Sequence, residues 1–215
     1  MIVTAHGGAM DTGRNTRKYL DRMAQYNVDA IEVDIRKAGK TLYLAHTPFD
    51  LLNPKKLKLS EAFAFVKETG KKINCDMKNK GLIKPVLDEA RKIGVEDKVM
   101  FTGAVTPGDV VNLTDGCAYL NVSFFPFPVK KGNVKKIKEF MEKFNNPRLA
   151  GINVNYRRLT PEFCEECLRE NVVISAFTID IKEHIEKIVK YPAVYNVTTN
   201  IHHKALEILG RKVKI

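Results

Sequence analysis

The chain has 215 residues, of which 44% are hydrophobic, and its 36 basic and 25 acidic side chains give a formal net charge of +11. This composition supports a sizeable core, and no run approaches the roughly 18 apolar residues of a membrane span, which excludes stable membrane insertion. The basic residues form scattered pairs, such as Lys55–Lys56 and Lys130–Lys131, without the interleaved aromatic residues of a nucleic-acid surface. We therefore expect no nucleic-acid partner, although the positive field favours an anionic substrate.

Short apolar runs rich in Val and Ile alternate along the chain with longer amphipathic runs, which is typical of successive strand–helix units. Strands are predicted at residues 2–5, 29–35, 72–77, 97–102, 117–122, 149–154, 172–178 and 194–199. Helices are predicted at residues 14–26, 59–69, 82–93, 107–114, 132–145, 160–170, 182–190 and 202–210. A further short strand, 41–45, follows a turn at residues 37–40.

Eight such units favour an α/β fold, a (β/α)8 TIM barrel that forms a single domain over residues 1–215. A doubly wound open sheet is the rival, but the eight full repeats and the lack of a glycine-rich dinucleotide motif disfavour it. Residues 1–5 resemble a strand and lack the basic segment and apolar run of a signal peptide. We therefore expect a cytoplasmic enzyme.

The active site of such a barrel lies where the strands end and the following loops begin. Six side chains that can bind a metal, transfer a proton or bind an anion occupy that position in the first three units. The sequence therefore predicts that they gather at one mouth of the barrel. They are His6 after the first strand, Glu32 and Asp34 near the end of the second, His46 after the short strand, and Asp76 and Lys78 at the end of the third.

The pattern Glu32-x-Asp34 places two carboxylates on one face of a strand, because strand side chains repeat every two residues. Their backbone origins lie roughly 6–7 Å apart, and two carboxylates in a core strand are costly unless a cation accompanies them. A hard divalent ion, Mg²⁺ or Ca²⁺, suits such oxygen ligands, and Asp76 offers a third oxygen from the next strand. The alternative is a structural ion network in which Lys78 or Arg36 pairs with the two carboxylates.

The histidines His6 and His46 suit general acid–base chemistry, since imidazole titrates near neutral pH. Either histidine alone is more often structural, but two of them beside a carboxylate pair favour catalysis. Lys78 is able to neutralise a phosphate oxygen. His202 and His203 follow the last strand and are interpreted as the start of the last helix.

The spacing of these residues resembles the glycerophosphodiester phosphodiesterase family. That family opens with His-Arg-Gly, Glu-Asn-Thr, Glu-x-Asp and His-Asp motifs and carries Glu-x-Lys on its third strand. The matching segments here are Ala5–Gly8, Arg14–Thr16, Ile31–Asp34, Ala45–Thr47 and Asp76–Lys78, with weaker matches at Phe177–Asp180 and Thr199–Asn200. The likeness covers nearly the whole chain in order, and the first 46 residues are its specific part.

The resemblance implies a TIM-barrel phosphodiesterase that cleaves a small diester, such as a glycerophosphodiester, to an alcohol and a phosphomonoester. It implies metal ligands at Glu32, Asp34 and Asp76 and an acid–base pair at His6 and His46. The bound ion would be Mg²⁺ or Ca²⁺, which would neutralise charge on the phosphate oxygens. The oligomeric state is left open.

Three departures from the family pattern concern the phosphate-binding cations and the third metal ligand. The arginine of His-Arg-Gly is Gly7 here, and Arg14 replaces the glutamate of Glu-Asn-Thr. We therefore expect Arg14, at the start of the first helix, to take over phosphate binding together with Lys78. The third ligand, Asp76, is one methylene shorter than the glutamate of the family.

The connection from Thr47 to Leu59 is shorter than in the family, which predicts a more open mouth that could admit a larger or lipid-linked diester. Four phenylalanines could provide an apolar rim or could serve ordinary loop packing: Phe49, Phe124, Phe125 and Phe127.

Two other functions remain open at this point. One is a catalytically degenerate barrel that binds phosphate or phospholipid headgroups without turnover, which the altered Arg, Glu and Asp positions favour. The other is a barrel enzyme that uses the metal for proton abstraction, such as an isomerase or aldolase. The retention of both histidines argues against the first, because binding alone does not need two titrating groups.

Overall fold

The computed structural model describes residues 1–213, in which eight parallel strands close into a barrel surrounded by helices. The strands of this region are β1 (Ile2–Ala5), β2 (Ala30–Ala38), β3 (Thr41–Leu44), β4 (Lys72–Met77), β5 (Val99–Gly103), β6 (Cys117–Asn121), β7 (Leu149–Asn155), β8 (Ile174–Phe177) and β9 (Val194–Thr199). The α-helices described in it are α1 (Arg17–Ala24), α2 (Leu59–Thr69), α3 (Ile83–Ile93), α4 (Pro107–Val111), α5 (Val134–Glu142), α6 (Pro161–Arg169), α7 (Lys182–Ile188) and α8 (His202–Ile208).

Strand β1 closes the barrel, because it pairs in parallel with β9 on one side and with β2 on the other. The remaining barrel strands follow chain order, and each pairs in parallel with its neighbours. Strand β3 lies outside the barrel and pairs antiparallel with the end of β2. The prediction of a (β/α)8 barrel is therefore confirmed, and the extra short strand forms a hairpin beside the mouth.

The predicted helices all occur, and side-chain caps define several of their starts. Thr160 accepts a hydrogen bond from the backbone N–H of Phe163, and Pro161 follows at the first helical position of α6. Thr16 caps α1 in the same way, by accepting from the backbone N–H of Tyr19. The strand and helix bounds lie within a few residues of those predicted.

The first helix begins later than predicted, at Arg17 rather than at residue 14. Asn15 has a φ of 58°, and such a left-handed backbone cannot continue into an α-helix. The prediction that Arg14 stands at the start of the helix is therefore wrong. Arg14 belongs instead to the loop between β1 and α1, which folds over the mouth of the barrel.

Two apolar layers and one polar layer fill the protein. The main core lies between the strands and the helices and includes Ile31, Val33 and Ile35 of β2. A small plug inside the barrel consists of Ile2, Ala30, Met100 and Tyr119. Toward the ends of the strands the inward side chains become polar, as in Thr4, Asn74, Thr102, Asn153, Ser175 and Asn196. None of the helices within residues 1–213 has the length and apolar character needed to cross a bilayer.

Candidate active site

Three carboxylates converge inside the mouth of the barrel. Glu32 and Asp34 project from β2 with only 4% and 3% of their surfaces exposed. Asp76 lies on the neighbouring strand β4, directly in register with Asp34. Oxygen atoms of all three lie within 4.8 Å of one another. The period of two along β2 and the parallel pairing with β4 therefore bring together the three residues that the sequence predicts as metal ligands.

Glu32 is the most deeply confined of the three carboxylates. Its Oε2 accepts a hydrogen bond of 2.6 Å from the backbone N–H of Gly7, and Nε2 of His6 lies 3.9 Å from the same oxygen. Burial, together with the negative charges of Asp34 and Asp76, raises the pKa of Glu32 well above its usual value. A Cβ at residue 7 would lie 2.9 Å from Oε2 and 3.1 Å from the backbone oxygen of Glu32, so the glycine permits this close approach.

The surroundings of Asp34 favour its charged form, whereas those of Glu32 favour the neutral form. Asp34 accepts hydrogen bonds from Nδ2 of Asn15 at 2.8 Å and from Nδ1 of His46 at 3.1 Å, and Nζ of Lys78 lies 2.8 Å from it. Burial disfavours its charge, but Lys78 and these hydrogen bonds hold the pKa of Asp34 below its usual value. Asp34 is therefore the ionised partner of the buried pair, whereas the charge of Glu32 is only weakly compensated.

Lys78 bridges two of the carboxylates. Its Nζ contacts Oδ1 of Asp34 and Oδ2 of Asp76. Burial opposes the charge, yet these two carboxylates raise the pKa of Lys78 above its usual value. The contact between Lys78 and Asp34 is part of the structural ion network that the sequence offers as the alternative to a metal site. Arg36, the other cation of that alternative, instead donates two hydrogen bonds to the backbone carbonyl of His46.

The charges of the cluster fit a divalent cation. One ammonium group, that of Lys78, faces the carboxylates of Glu32, Asp34 and Asp76. A buried carboxylate without a matching cation is unfavourable, and the raised pKa of Glu32 reflects this unfavourable burial of its charge. Three convergent carboxylate oxygens are a donor set that Mg²⁺ and Ca²⁺ prefer. The residues present therefore suit a hard divalent ion at the mouth.

His6 is held by a polar chain that the sequence did not predict. Its Nδ1 lies 3.0 Å from Oδ1 of Asn200, and Asn200 in turn donates to Asp180 from its side chain at 2.7 Å and from its backbone at 2.8 Å. Burial, and to a smaller extent the charge of Arg14, lowers the pKa of His6. The weak motif matches at Phe177–Asp180 and Thr199–Asn200 were the only signal in the sequence for these two residues.

His46 is anchored at both its side chain and its backbone. Its Nδ1 contacts Asp34, and its backbone N–H donates to Oδ2 of Asp50 at 2.8 Å. Asp50 belongs to a 3₁₀ turn, Pro48–Leu52, that begins directly after the histidine. Thr47 and Asp50 form a reciprocal capping box there, so the turn and His46 are held as one unit.

Arg14 lies apart from the carboxylates, at an exposed position beside His46. Both residues line an open groove of about 650 Å³, together with the Pro48–Leu52 turn. A Cβ at Gly8 would lie 2.9 Å from the Cα of Arg14, so the loop backbone packs Arg14 closely against the turn that follows His6. Of the seven residues that the sequence predicts, six therefore cluster at the mouth and Arg14 borders it.

The four candidate rim phenylalanines separate into two groups. Phe49 is 79% exposed at the edge of the groove. The other three pack in an aromatic cluster with Phe140 and Phe144 and serve ordinary loop packing: Phe124, Phe125 and Phe127. Only Phe49 therefore forms an exposed apolar rim.

No protein-family model and no curated protein sequence matches the chain. Solved structures do match over the whole chain. The fold is that of the glycerophosphodiester phosphodiesterases. A phosphodiesterase from Oleispira antarctica in complex with the product sn-glycerol-3-phosphate superimposes with a TM-score of 0.75 at 15% identity, covering 98% of this chain and 97% of that one.

Two glycerophosphodiester phosphodiesterases show the same likeness. The enzyme from Parabacteroides distasonis has a TM-score of 0.75 at 12% identity and covers 97% of this chain and 96% of its own. The enzyme from Thermotoga maritima has a TM-score of 0.63 at 18% identity and covers 98% of each chain. At such identities the glycerophosphodiester phosphodiesterases establish the fold, and the chemistry has to be argued from the residues at the mouth.

Proposed function

We propose that the protein is a metal-dependent phosphodiesterase that hydrolyses a glycerophosphodiester to an alcohol and a phosphomonoester such as glycerol 3-phosphate. The observation that carries this proposal is the convergence of three carboxylates within 4.8 Å beside two histidines that each contact one of them. The product complex of the Oleispira antarctica phosphodiesterase, on the same fold, supports the substrate class.

The carboxylates of Glu32, Asp34 and Asp76 would hold the divalent ion, Mg²⁺ or Ca²⁺. When bound, such an ion neutralises charge on the phosphate oxygens and polarises the attacking oxygen. Lys78 borders the same cluster and would place its ammonium group against a second phosphate oxygen. Asn15 positions Asp34, because its side chain donates to the carboxylate while its Oδ1 accepts from the backbone N–H of Asp34.

His6 is the better general base of the two histidines. The Nδ2 of Asn200 donates to Asp180, so its Oδ1 faces His6 and the proton of the imidazole resides on Nδ1. Nε2 is therefore left as the acceptor, on the side of the ring that faces Glu32. From there it would take the proton of the nucleophile, which is either water or a glycerol hydroxyl. Attack by water gives the phosphomonoester directly, whereas attack by the hydroxyl gives a cyclic diester that water must then open.

His46 is the better general acid. The ionised carboxylate of Asp34 only accepts hydrogen bonds, so Nδ1 of His46 donates to it and Nε2 faces away from that contact. Nε2 would then be the atom that delivers a proton to the leaving alkoxide. Arg36 and Asp50 hold the backbone of His46 and so fix the position of the ring.

Arg14 would bind the phosphate or the group beyond it. It borders the groove that starts at His46, and its backbone packs against Gly8 in the turn after His6. A cation at this place would compensate for Gly7, which carries no side chain for phosphate binding.

A turnover assay tests the proposal directly. A panel of glycerophosphodiesters is incubated with the protein in Mg²⁺, in Ca²⁺ and in EDTA, and release of the phosphomonoester is measured. We expect hydrolysis of at least one diester that EDTA abolishes and that His46→Ala removes. His184→Ala is the matched control and should retain activity, since the side chain of His184 forms its one hydrogen bond among the described residues with Tyr156. Absence of hydrolysis for every diester with either metal would contradict the proposal.

A barrel that binds phosphate without turnover is the second candidate, and one observation favours it. The ammonium group of Lys78 already contacts both Asp34 and Asp76, which partly satisfies two of the three carboxylates without a metal. Calorimetric titration distinguishes the two candidates. Tight binding of inorganic phosphate that does not change with Mg²⁺ or Ca²⁺, together with no turnover, would favour the binding protein.

A further inference from the structure

The turn that follows His46, at the edge of the groove, carries two exposed apolar side chains. The turn Pro48–Leu52 presents Phe49 and Leu52 to solvent with 79% and 78% of their surfaces exposed. Thr47 and Asp50 cap this turn reciprocally, so its backbone is held in place rather than collapsed onto the barrel. Large apolar side chains that a fixed backbone keeps in water mark an interaction surface.

Cations line the groove together with Phe49. The groove is lined by Arg14, Arg17, Lys18, Lys55 and Lys56. Arg17 pairs with Glu61 at 2.5 Å, but no ion pair within residues 1–213 neutralises Arg14, Lys18 or Lys55. Asp50 is the one acidic side chain among the described lining residues, and the backbone N–H groups of His46 and Thr47 engage it. The surface therefore combines unpaired positive charge with protruding apolar groups.

This combination fits an anionic phospholipid surface. Apolar side chains enter the boundary between headgroups and acyl chains, while lysines and arginines attract the negative headgroups. A nucleic acid would instead require bases stacked on aromatic side chains along a basic track, and a single phenylalanine beside a leucine does not provide one. An acidic protein would match the charges as well, so binding to lipid vesicles that contain no other protein is the decisive observation.

We propose that the Pro48–Leu52 turn and the basic groove dock the protein peripherally on a membrane that contains anionic phospholipid. His46 directly precedes this turn, so docking brings the mouth of the barrel next to the lipid headgroups. The diester would then be a lipid-linked one that is drawn from the membrane surface, an extension that rests on the proposed function. The docking itself does not depend on turnover.

Vesicle sedimentation tests the docking without any substrate. Vesicles of phosphatidylcholine with phosphatidylglycerol are compared with pure phosphatidylcholine vesicles at low and high salt. We expect binding only to the anionic vesicles, weakened by salt. Lys18→Ser with Lys55→Ser should weaken binding about 25-fold, or about fivefold for each cation. The matched control is Lys143→Ser with Lys190→Ser, two lysines that follow α5 and α7 at the opposite end of the barrel and should not affect binding.

Fluorescence tests whether the turn itself enters the lipid, because the chain contains no tryptophan. Phe49→Trp places a single reporter on the turn, and its emission should shift to shorter wavelength with anionic vesicles. Val111→Trp, at an equally exposed residue of α4, should show no shift. Phe49→Ser with Leu52→Ser should abolish vesicle binding. Leu52→Ser alone, at a residue outside the groove lining, should weaken vesicle binding while hydrolysis of water-soluble diesters continues.

Each outcome decides the inference. Failure of wild-type protein to bind anionic vesicles, or an equal loss with the Lys143 and Lys190 variant, would overturn it. So would equally tight binding to heparin or single-stranded DNA that is unchanged by the Phe49 and Leu52 substitutions, since the surface would then recognise polyanions in general. Wild-type protein that hydrolyses diesters but does not bind anionic vesicles contradicts the docking alone, whereas wild-type protein that binds these vesicles without any hydrolysis contradicts only the proposed function.

Discussion

Nδ1 of His6 and Oδ1 of Asn200 lie 3.0 Å apart, and this contact determines which ring nitrogen is available at the mouth. The side-chain amide of Asn200 cannot flip, because its Nδ2 donates to Asp180 at 2.7 Å. The backbone N–H of Asn200 donates to the same carboxylate. Asp180 therefore acts on His6 through Asn200 and fixes the tautomer without touching the ring. Asn200 is a positioning residue in this arrangement.

Replacing Asn200 should impair turnover more than binding. Asn200→Ala frees the imidazole of His6 to rotate and to exchange tautomers, so we expect kcat to fall about 10- to 100-fold with little change in KM. Asn200→Asp places a carboxylate against Nδ1, which should raise the pKa of His6. Because a base must be deprotonated to act, the acidic limb of the pH–rate profile should then move to higher pH.

The control for Asn200 is Asn155, which also ends a barrel strand but bonds to the backbone of Arg157. Asn155→Ala should leave kcat and the pH–rate profile unchanged. If Asn200→Asp lowers the melting temperature yet leaves the profile where it is, Asn200 has only a structural role.

Metal binding should increase the free energy of unfolding of the protein. A divalent ion at about 100 times its Kd would add about 2.7 kcal/mol to the free energy of unfolding, which is about 5–10 °C in Tm for a chain of this size. Glu32→Gln should abolish this gain. In EDTA the same variant should be at least as stable as wild type, because it removes a buried charge that Asp34 and Asp76 repel.

Asp88, whose side chain is 42% exposed, provides the control for metal binding. Asp88→Asn lies on α3, away from the mouth, and should keep the full rise in Tm with Mg²⁺ or Ca²⁺. A Glu32→Gln protein that still gains the same stability from the ion would show that Glu32 is not a ligand.

Arg14 should contribute to substrate binding. Arg14→Ala removes one charge-assisted hydrogen bond to the substrate, so we expect KM to rise about tenfold, equivalent to about 1.4 kcal/mol, with kcat nearly unchanged. Arg14→Lys should restore part of the loss. Arg169→Ala, at the far end of α6, is the comparison and should leave KM unchanged. An Arg14→Ala enzyme with wild-type kcat and KM would mean that Arg14 does not replace the arginine missing at Gly7.

The fold could be predicted because each strand–helix unit carries its own apolar periodicity. The convergence of Glu32, Asp34 and Asp76 could be predicted as well, since strand register and the barrel rule place strand ends together. The loop between β1 and α1 could not, because its course depends on left-handed backbone at Asn15, which no periodicity encodes. The contact of Asn15 with Asp34 was missed for the same reason.

His6 and Asn200 illustrate the same limit across a greater distance in the sequence. The two residues are 194 positions apart, and they meet only because β1 and β9 pair to close the barrel. Motif likeness pointed weakly to Thr199–Asn200 but gave no reason for its role. Closure of the barrel provides that reason, since it places the loop after β9 directly beside the end of β1.

His202 gives the fold a pH dependence that is separate from the active site. Its side chain is fully buried in α8 against the edge of the Tyr26 ring, with ring centroids 4.8 Å apart. Neither ring nitrogen has a hydrogen-bond partner among the described residues. Burial lowers the pKa of His202 to about 4, and the positive charges of neighbouring groups add to the effect. The folded protein therefore holds a neutral imidazole well below neutral pH.

The sign of the effect follows from the proton balance between the two states. In the unfolded chain a histidine has a pKa of about 6.5, so between pH 6.5 and about 4 the unfolded chain binds a proton that the folded one excludes. The free energy of unfolding should fall as the pH is lowered through this window, by about 3 kcal/mol in all. Urea denaturation of wild type and His202→Leu at several pH values isolates this contribution, because the other titrating groups are common to both proteins. We expect the stability of the variant relative to wild type to increase steadily from pH 7 to pH 4. Parallel pH dependences in the two proteins would mean that His202 finds a proton acceptor, or water, in the folded state.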